Sequence, residues 1–261
     1  MTASAALDAG GIIEVRSDTV LAGTPYADAV LRACGLPGAA WQFRDGDRML
    51  AGAVAGTLRG SLREMLLAER TLLNFLQRAC GIATMTRRYV DAVAHTGARI
   101  LHTRKTAPGL RLFDVAAVRA GGGGVHRLDL ARTVMVKDNH WRALAQGGRT
   151  LADALAQARD LGVLELYVEV ESLAQVDEAC DAGATRLLVD NQSPATVANW
   201  GARARGRRPG IEIEATGGIT LENVARYAQA AADFISIGAL THSVVAADVS
   251  LELRETGDGR R

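Results

Sequence analysis

A chain of 261 residues can bury a sizeable core, as one α/β barrel or as two modest domains. Its formal net charge of +1 argues against a general nucleic-acid binder, and an aromatic content of 4% leaves few platforms for stacking bases. Cys34, Cys80 and Cys180 are far apart, odd in number and free of CxxC spacing, so they read as buried thiols and not as a disulfide framework or a zinc site. The opening MTASAALDAGG lacks a charged segment followed by an apolar core, and no apolar run approaches the roughly 20 residues that span a bilayer. The chain reads as cytoplasmic, with no membrane partner.

Residues 1–11 are small and Gly-rich, with little to pack. Residues 12–58 read as short alternating strands (IIEVR, TVLAG, AWQFRDG, MLAGAVAGTLRG) around one helix near Tyr26 to Cys34, a small α+β unit. From Ser61 the apolar spacing changes to three and four, with Ser61 and Glu64 at capping-box positions. The pattern predicts a helix to about Ala79, a break near Gly81, and a second helix ending before Gly97.

Beyond Gly97 the chain repeats apolar strand, polar strand end, helix. The strands are ARILHT, TVMVKD, LELYVEVE, TRLLVDN, IEIEATGG and FISIGAL, with amphipathic helical stretches such as LADALAQARDLG, LAQVDEACDAG and LENVARYAQAA between them. From Lys137 to Glu169, Asp190, Thr216 and Gly238 the steps are 32, 21, 26 and 22 residues, a length suited to βα units and hence to a parallel sheet. The final residues, ETGDGRR, read as disordered.

Chemistry-bearing residues concentrate between 102 and 140, where Arg104, Lys105, Arg111, Arg119, His126, Arg127, Arg132, Lys137 and His140 are interleaved with Gly, Pro and apolar residues. A cation is costly inside a buried strand but tolerable at its end if an anion shares the pocket. Arg104, Lys105, Lys137, Glu169, Asp190, Thr216-Gly217-Gly218 and Gly238 all fall at or just beyond strand ends, which converge on the active-site face of a β/α barrel. A helix beginning near Thr220 would set Gly217 and Gly218 at its N-terminus, a setting for phosphate, and Gly238 adds a second small-residue turn. Glu169 and Asp190 fit either ion pairs or the hard-oxygen coordination of Mg²⁺ and sugar hydroxyls. GGGGVH, residues 121–126, lacks dinucleotide-fingerprint spacing and reads as close backbone approach that positions His126 and Arg127. His95 and His242 read as surface or packing residues, and His140 as structural. With no Ser-His-Asp order, Cys nucleophile or HExxH, the pattern favours binding and positioning of anions, as phosphoribosyl transfer requires.

Taken together, ERTLLNFLQRACGIATMTRRYVDAV, TRKTAPGLR, AVRAGGGGVHRLDL, VKDNH, VEVES, LLVDN, ATGGIT and FISIGALTHS resemble quinolinate phosphoribosyltransferase over about residues 12–252. The resemblance implies an α/β fold: a shortened N-terminal α/β sandwich (1–96, joined by 243–261) and an open, incomplete α/β barrel (97–242). It also implies phosphoribosyl transfer from phosphoribosyl pyrophosphate to quinolinate with decarboxylation, and a homodimer or larger assembly. Arg104, His126 and Arg127 would then face the two carboxylates of quinolinate, with Lys105 and Lys137 between the acid and the pyrophosphate. Arg70 would complete the neighbouring subunit's site, Glu169 and Asp190 would serve the ribose hydroxyls and Mg²⁺ partly through water, and Thr216, Gly217, Gly218 and Gly238 would cradle the 5′-phosphate.

Four features depart from the family pattern. An acidic N-terminal helical motif is missing, and Thr216 replaces Ser. Val125 stands for Asn. His102 stands for Asp, which would add a titratable cation near the acid. These departures leave open a paralogue acting on another pyridine or aromatic carboxylate, or a truncated, non-catalytic phosphosugar-binding subunit.

Overall fold

The computed structural model describes residues 7–128 and 133–255. Arg132 and the terminal stretches 1–6 and 256–261, including most of the tail expected to be disordered, lie outside the described residues. In chain order the first elements are β1 (Asp8–Val15), β2 (Thr19–Val20), α1 (Thr24–Ala33), β3 (Ala40–Trp41), β4 (Arg48–Met49), β5 (Val54–Ser61) and α2 (Leu62–Val93). There follow β6 (Arg99–Leu101), α3 (Arg111–Ala120), β7 (Thr133–Val136), α4 (Asp138–Gln146), α5 (Leu151–Asp160), β8 (Glu165–Val170) and α6 (Leu173–Ala182). The last are β9 (Arg186–Asp190), α7 (Pro194–Arg207), β10 (Glu212–Thr216), α8 (Val224–Gln229), β11 (Phe234–Ser236), α9 (Ala239–His242) and β12 (Val249–Glu255). Two compact units share them: one holds the chain up to Arg87, Lys105–Gly123 and the part from Ala239 onward, the other Arg88–Arg104 and Gly124–Gly238.

In the first unit an antiparallel sheet runs β12-β1-β5-β3. Residues 8–11 do pack, contrary to expectation, because β1 is paired on both sides and its alternate residues enter the core. Small residues suit that place: a Cβ on Gly11 would lie 3.0 Å from a Leu251 methyl. Ile13, Leu31, Leu58, Met65, Leu72 and Leu76 build the core against the sheet, each such side chain contributing about 1.5–3 kcal/mol of burial. Tyr26, Phe75 and Phe113 stack edge to face beside it, with centroids 4.8 and 5.3 Å apart at Phe113. Asp114, fully buried on α3, takes a two-point bond from Arg78 (2.9 and 2.8 Å) and the amide of Ala107 (2.9 Å), which fixes the loop entering α3. The three cysteines are free; Cys34 is half-buried, and burial pushes the Cys80 thiol up to about 12.

The expected break near Gly81 is absent, and α2 is one helix of 32 residues. Gly81 is there because a Cβ would sit 2.3 Å from the carbonyl oxygen of Val245. In an exposed helix Gly→Ala gains about 1 kcal/mol. Here the clash with backbone outweighs it, so Gly81→Ala should lower unfolding stability by about 1–3 kcal/mol in urea melts. A gain would contradict this packing role.

In the second unit six parallel strands run in the order β6-β11-β10-β9-β8-β7. That is the order of a barrel opened between β6 and β7, so the open, incomplete α/β barrel is borne out, as is the βα rhythm read beyond Gly97. α8 does not begin near Thr220 but at Val224 and runs for six residues. The turn before it is closed locally, with Asn223 accepting from the Thr220 amide (2.8 Å) and donating to the Gly218 carbonyl (3.1 Å). Among the described residues, no helix is long and apolar enough to cross a membrane.

Candidate active site

Pairing register brings the strand ends of the second unit level. Asp190 lies opposite Thr216, Thr216 opposite Ser236, and Ser236 opposite Leu101, the residue before His102. One level below, Glu169 lies opposite Leu188 and Leu188 opposite Glu214. Side chains alternate along a strand, so Glu169, Asp190, Glu214, Thr216 and Ser236 share one face, while Val168, Val170, Leu187, Val189, Ile213 and Ala215 line the other. This decides what alternation alone left open for Glu169: it is on the polar face, yet only 7% exposed.

Lys137 follows β7 and makes a close ion pair with Glu169 Oε2. Two bonds secure this corner. The Lys137 amide donates to His140 Nδ1 (3.1 Å), and Trp141 Nε1 donates to the Glu169 carbonyl (2.9 Å). His140 is thus structural, holding the backbone that carries Lys137. Asp190 ends β9 half-buried and accepts from Asn191 Nδ2 (2.7 Å). Asn191 has φ 51°, and a Cβ on Gly217 (φ 81°) would fall 2.2 Å from its Oδ1. Only glycine fits there, by packing and by backbone conformation. Gly218 (φ 60°) is exposed with open space beside it, and Gly238 lies two residues beyond β11.

Arg104 and Arg127 are close enough to oppose each other. Burial pushes the Arg127 guanidinium down and the charge of Arg104 adds to this, against upward pulls from Glu214 and Glu169. Among the described residues neither arginine forms an ion pair. Two like charges gathered without a carboxylate partner make a place for an anion.

His126 is placed differently from the expectation that it faces a ligand carboxylate. Its Nδ1 accepts the Arg127 amide (2.7 Å), so the ring proton sits on Nε2, which donates to Glu214 (3.1 and 3.2 Å). Glu214 is 0% exposed and also accepts from Ser236 Oγ (2.5 Å) and Arg186 Nη1 (3.1 Å). Burial alone would raise its pKa, but the hydrogen bonds from His126 and Ser236 and the positive charge of Arg186 outweigh that and lower it. Arg186 in turn is sandwiched between the rings of Phe234 (3.8 Å) and Tyr167 (4.4 Å).

His102 requires a correction. It is 0% exposed, its Nε2 accepts the His126 amide (3.1 Å), and its Nδ1 contacts the Thr103 carbonyl (2.9 Å). An amide can only donate and a carbonyl only accept, so the ring is neutral with its proton on Nδ1. It is no added cation.

Sequence reasoning missed Glu214, Ser236, Arg186 and Asn191. A signal existed for the first: glutamates two apart in the apolar strand IEIEA mark a polar face. The glycine run behaves as expected of close backbone approach. In the first unit a Cβ on Gly121 would lie 2.5 Å from the Ala83 carbonyl, and in the second a Cβ on Gly124 2.7 Å from a Leu101 methyl. Arg70 and Lys105 belong to the first unit, with Arg70 exposed on α2 and the Lys105 carbonyl accepting from Thr241 Oγ1 (2.8 Å). Arg111 and Arg119 lie on α3 of that unit, and His95 and His242 are exposed.

Residues 3–80 match the model of the quinolinate phosphoribosyl transferase N-terminal domain, and residues 82–252 that of the C-terminal domain. The probable carboxylating nicotinate-nucleotide pyrophosphorylase of Methanothermobacter thermautotrophicus is 38% identical over 245 residues, 92% of this chain and 86% of that protein. The carboxylating nicotinate-nucleotide pyrophosphorylase of Mycobacterium leprae is 38% identical over 265 residues, 97% of this chain and 90% of its own. Among solved structures, the nicotinate-nucleotide pyrophosphorylase of Francisella tularensis superposes with a TM-score of 0.88 at 32% identity, covering 95% of this chain and 87% of that one. NadC from Streptococcus pyogenes gives 0.86 at 36% identity, covering 97% and 89%.

Proposed function

This chain belongs to the quinolinate phosphoribosyl transferase family, and from that premise we propose that it transfers the phosphoribosyl group of phosphoribosyl pyrophosphate to quinolinate. The products are nicotinate mononucleotide, pyrophosphate and CO₂, a step of NAD biosynthesis. The observation that carries this reading is the pair Arg104 and Arg127, gathered without a carboxylate partner among the described residues, in the unit whose strand ends carry Lys137, Glu169 and Asp190.

In the proposed mechanism Arg104 and Arg127 grip the carboxylates of the acid and orient its ring. The pyridine nitrogen attacks C1 of the ribose, and the C1–O bond to pyrophosphate breaks. Lys137 stabilises the anionic charge shared by the acid and the leaving pyrophosphate. The C–CO₂⁻ bond beside the now cationic nitrogen then cleaves, its electron pair remains on the ring carbon, and a proton from solvent replaces the lost CO₂. Thr216, Gly217, Gly218 and Gly238 are proposed to hold the 5′-phosphate through the Thr216 hydroxyl and backbone amides. His126, whose ring nitrogens are both engaged within the chain, serves by fixing Arg127.

Mg²⁺ fits this donor set as a cation that arrives with its substrate. Among the described residues no group of three His, Cys, Asp or Glu side chains could hold a metal unaided, and Glu169 is already paired with Lys137. Asp190, with Glu169 behind it, would hold the ion partly through water. Bound there, it would neutralise pyrophosphate charge. Arg70 is proposed to complete the site of a second copy in a homodimer; its exposure on α2, beside Leu66 at 45% and Leu67 at 58% exposure, supports this. The free thiols suit a cytoplasmic location.

Purified protein with Mg²⁺, phosphoribosyl pyrophosphate and quinolinate should release pyrophosphate and CO₂ in equal amounts, and nicotinate should release neither. Pyrophosphate without CO₂, or turnover of another acid alone, would replace this reading with a paralogue's. Tight binding without turnover would leave a non-catalytic subunit.

A further inference from the structure

The edge of β6 that is not paired with β11 is met by the stretch around Gly124. Gly124 forms a parallel bridge to Leu101, and its amide donates to the Ile100 carbonyl (2.8 Å). A parallel ladder repeats every second residue, so its next bond would join the amide of residue 126 to the carbonyl of residue 102. Here the imidazole Nε2 of His102 takes that amide instead (3.1 Å). One residue further, the Arg127 amide turns back onto His126 Nδ1 (2.7 Å), while His126 Nε2 is anchored on Glu214 (3.1 Å). The backbone bearing Arg127 therefore hangs on two imidazoles, one from β6 and one its own.

We propose that His102 is a positioning residue: as a neutral imidazole protonated on Nδ1 it holds the His126 amide in line with β6, and so aims Arg127 at the acid's carboxylate. The part concerning the acid rests on the function proposed above. A side chain that can only donate, or cannot bond at all, would leave the partly buried His126 amide without its acceptor and let residues 126–127 drift from the ladder. The glycines proposed to hold the phosphate follow other strands, β10 and β11, so phosphoribosyl pyrophosphate should not feel the change.

Two measurements test this. In ¹⁵N-labelled wild-type protein without substrate, a coupling across the hydrogen bond should join the His126 backbone nitrogen to His102 Nε2, with the His102 proton on Nδ1. A His102 protonated on Nε2, or the absence of that coupling, overturns the proposal. In kinetics, His102→Leu should raise KM for quinolinate by about tenfold and leave KM for phosphoribosyl pyrophosphate within about twofold. His102→Gln, whose Oε1 can accept at the position of Nε2, should recover most of the loss. An equal rise in both KM values, or a Gln variant no better than Leu, overturns it as well. Failure of the wild-type protein to use quinolinate would sink the functional reading alone, because the coupling is read with no substrate present.

Discussion

Arg104→Ala should raise KM for quinolinate by about 100-fold while KM for phosphoribosyl pyrophosphate stays within about twofold, in steady-state assays with the other substrate saturating. The charge of Arg104 already weighs on Arg127, depressing its pKa beyond the effect of burial. A dianionic acid relieves that repulsion and gains a forked, charge-assisted contact worth about 1.5–3 kcal/mol, and each 1.4 kcal/mol is about tenfold in affinity. Relief of the repulsion adds to the contact, which places the expected loss near the top of that range. Arg104→Lys should recover only part of it, because an ammonium is a point charge without the planar fork. Equal loss for both substrates would contradict the assigned role.

Glu214→Leu should lower the melting temperature by about 10 °C, and should weaken quinolinate more than phosphoribosyl pyrophosphate in whatever protein folds. Removing one partner of a buried charged network typically costs about 3–5 kcal/mol, and for a chain of this size about 2–4 °C accompanies each kcal/mol. The loss falls on Arg186, His126 and Ser236 together, since all three bond to this one carboxylate. Glu214→Gln keeps an acceptor for His126 but gives up the charge opposite Arg186, so it should be milder.

The same group sets a pH dependence. Its pKa in the folded chain lies below the ordinary value of 4.5. Its stabilisation is therefore fully present above that value and is lost as pH falls through the lower, folded value. Urea unfolding of wild type and Glu214→Gln should show a stability gap that is constant in the neutral range and closes only below about pH 4. A gap that closes near neutrality would mean the carboxylate is not held as described.

Much of the second unit is legible in the sequence. Alternating and continuous apolar runs separated by amphipathic stretches named all six parallel strands, and charges at strand ends named Lys137, Glu169 and Asp190. These are local signals, written in residues within one element of each other. The antiparallel unit was less clear, because Ala9, Gly10 and Gly11 carry no hydrophobic pattern of their own. They become strand only through partners at residues 58–60 and 253–255.

What the tertiary structure decided is the choice of partner. Gly81 looked like a helix break because glycine weakens helices, yet Val245, far along the chain, makes it a packing glycine inside one long helix. His102 looked like an added cation, yet an amide 24 residues away fixes it as a neutral acceptor. His126 looked like a ligand group, yet Glu214, 88 residues on, claims its free proton. Residue types and their spacing along this chain determined the strands, the rhythm and the gathering of positive charge. Whether each polar atom faces a ligand or another part of the chain depends on donors and acceptors brought together only by folding, because a buried hydrogen-bonding group must take whichever partner lies within about 3 Å.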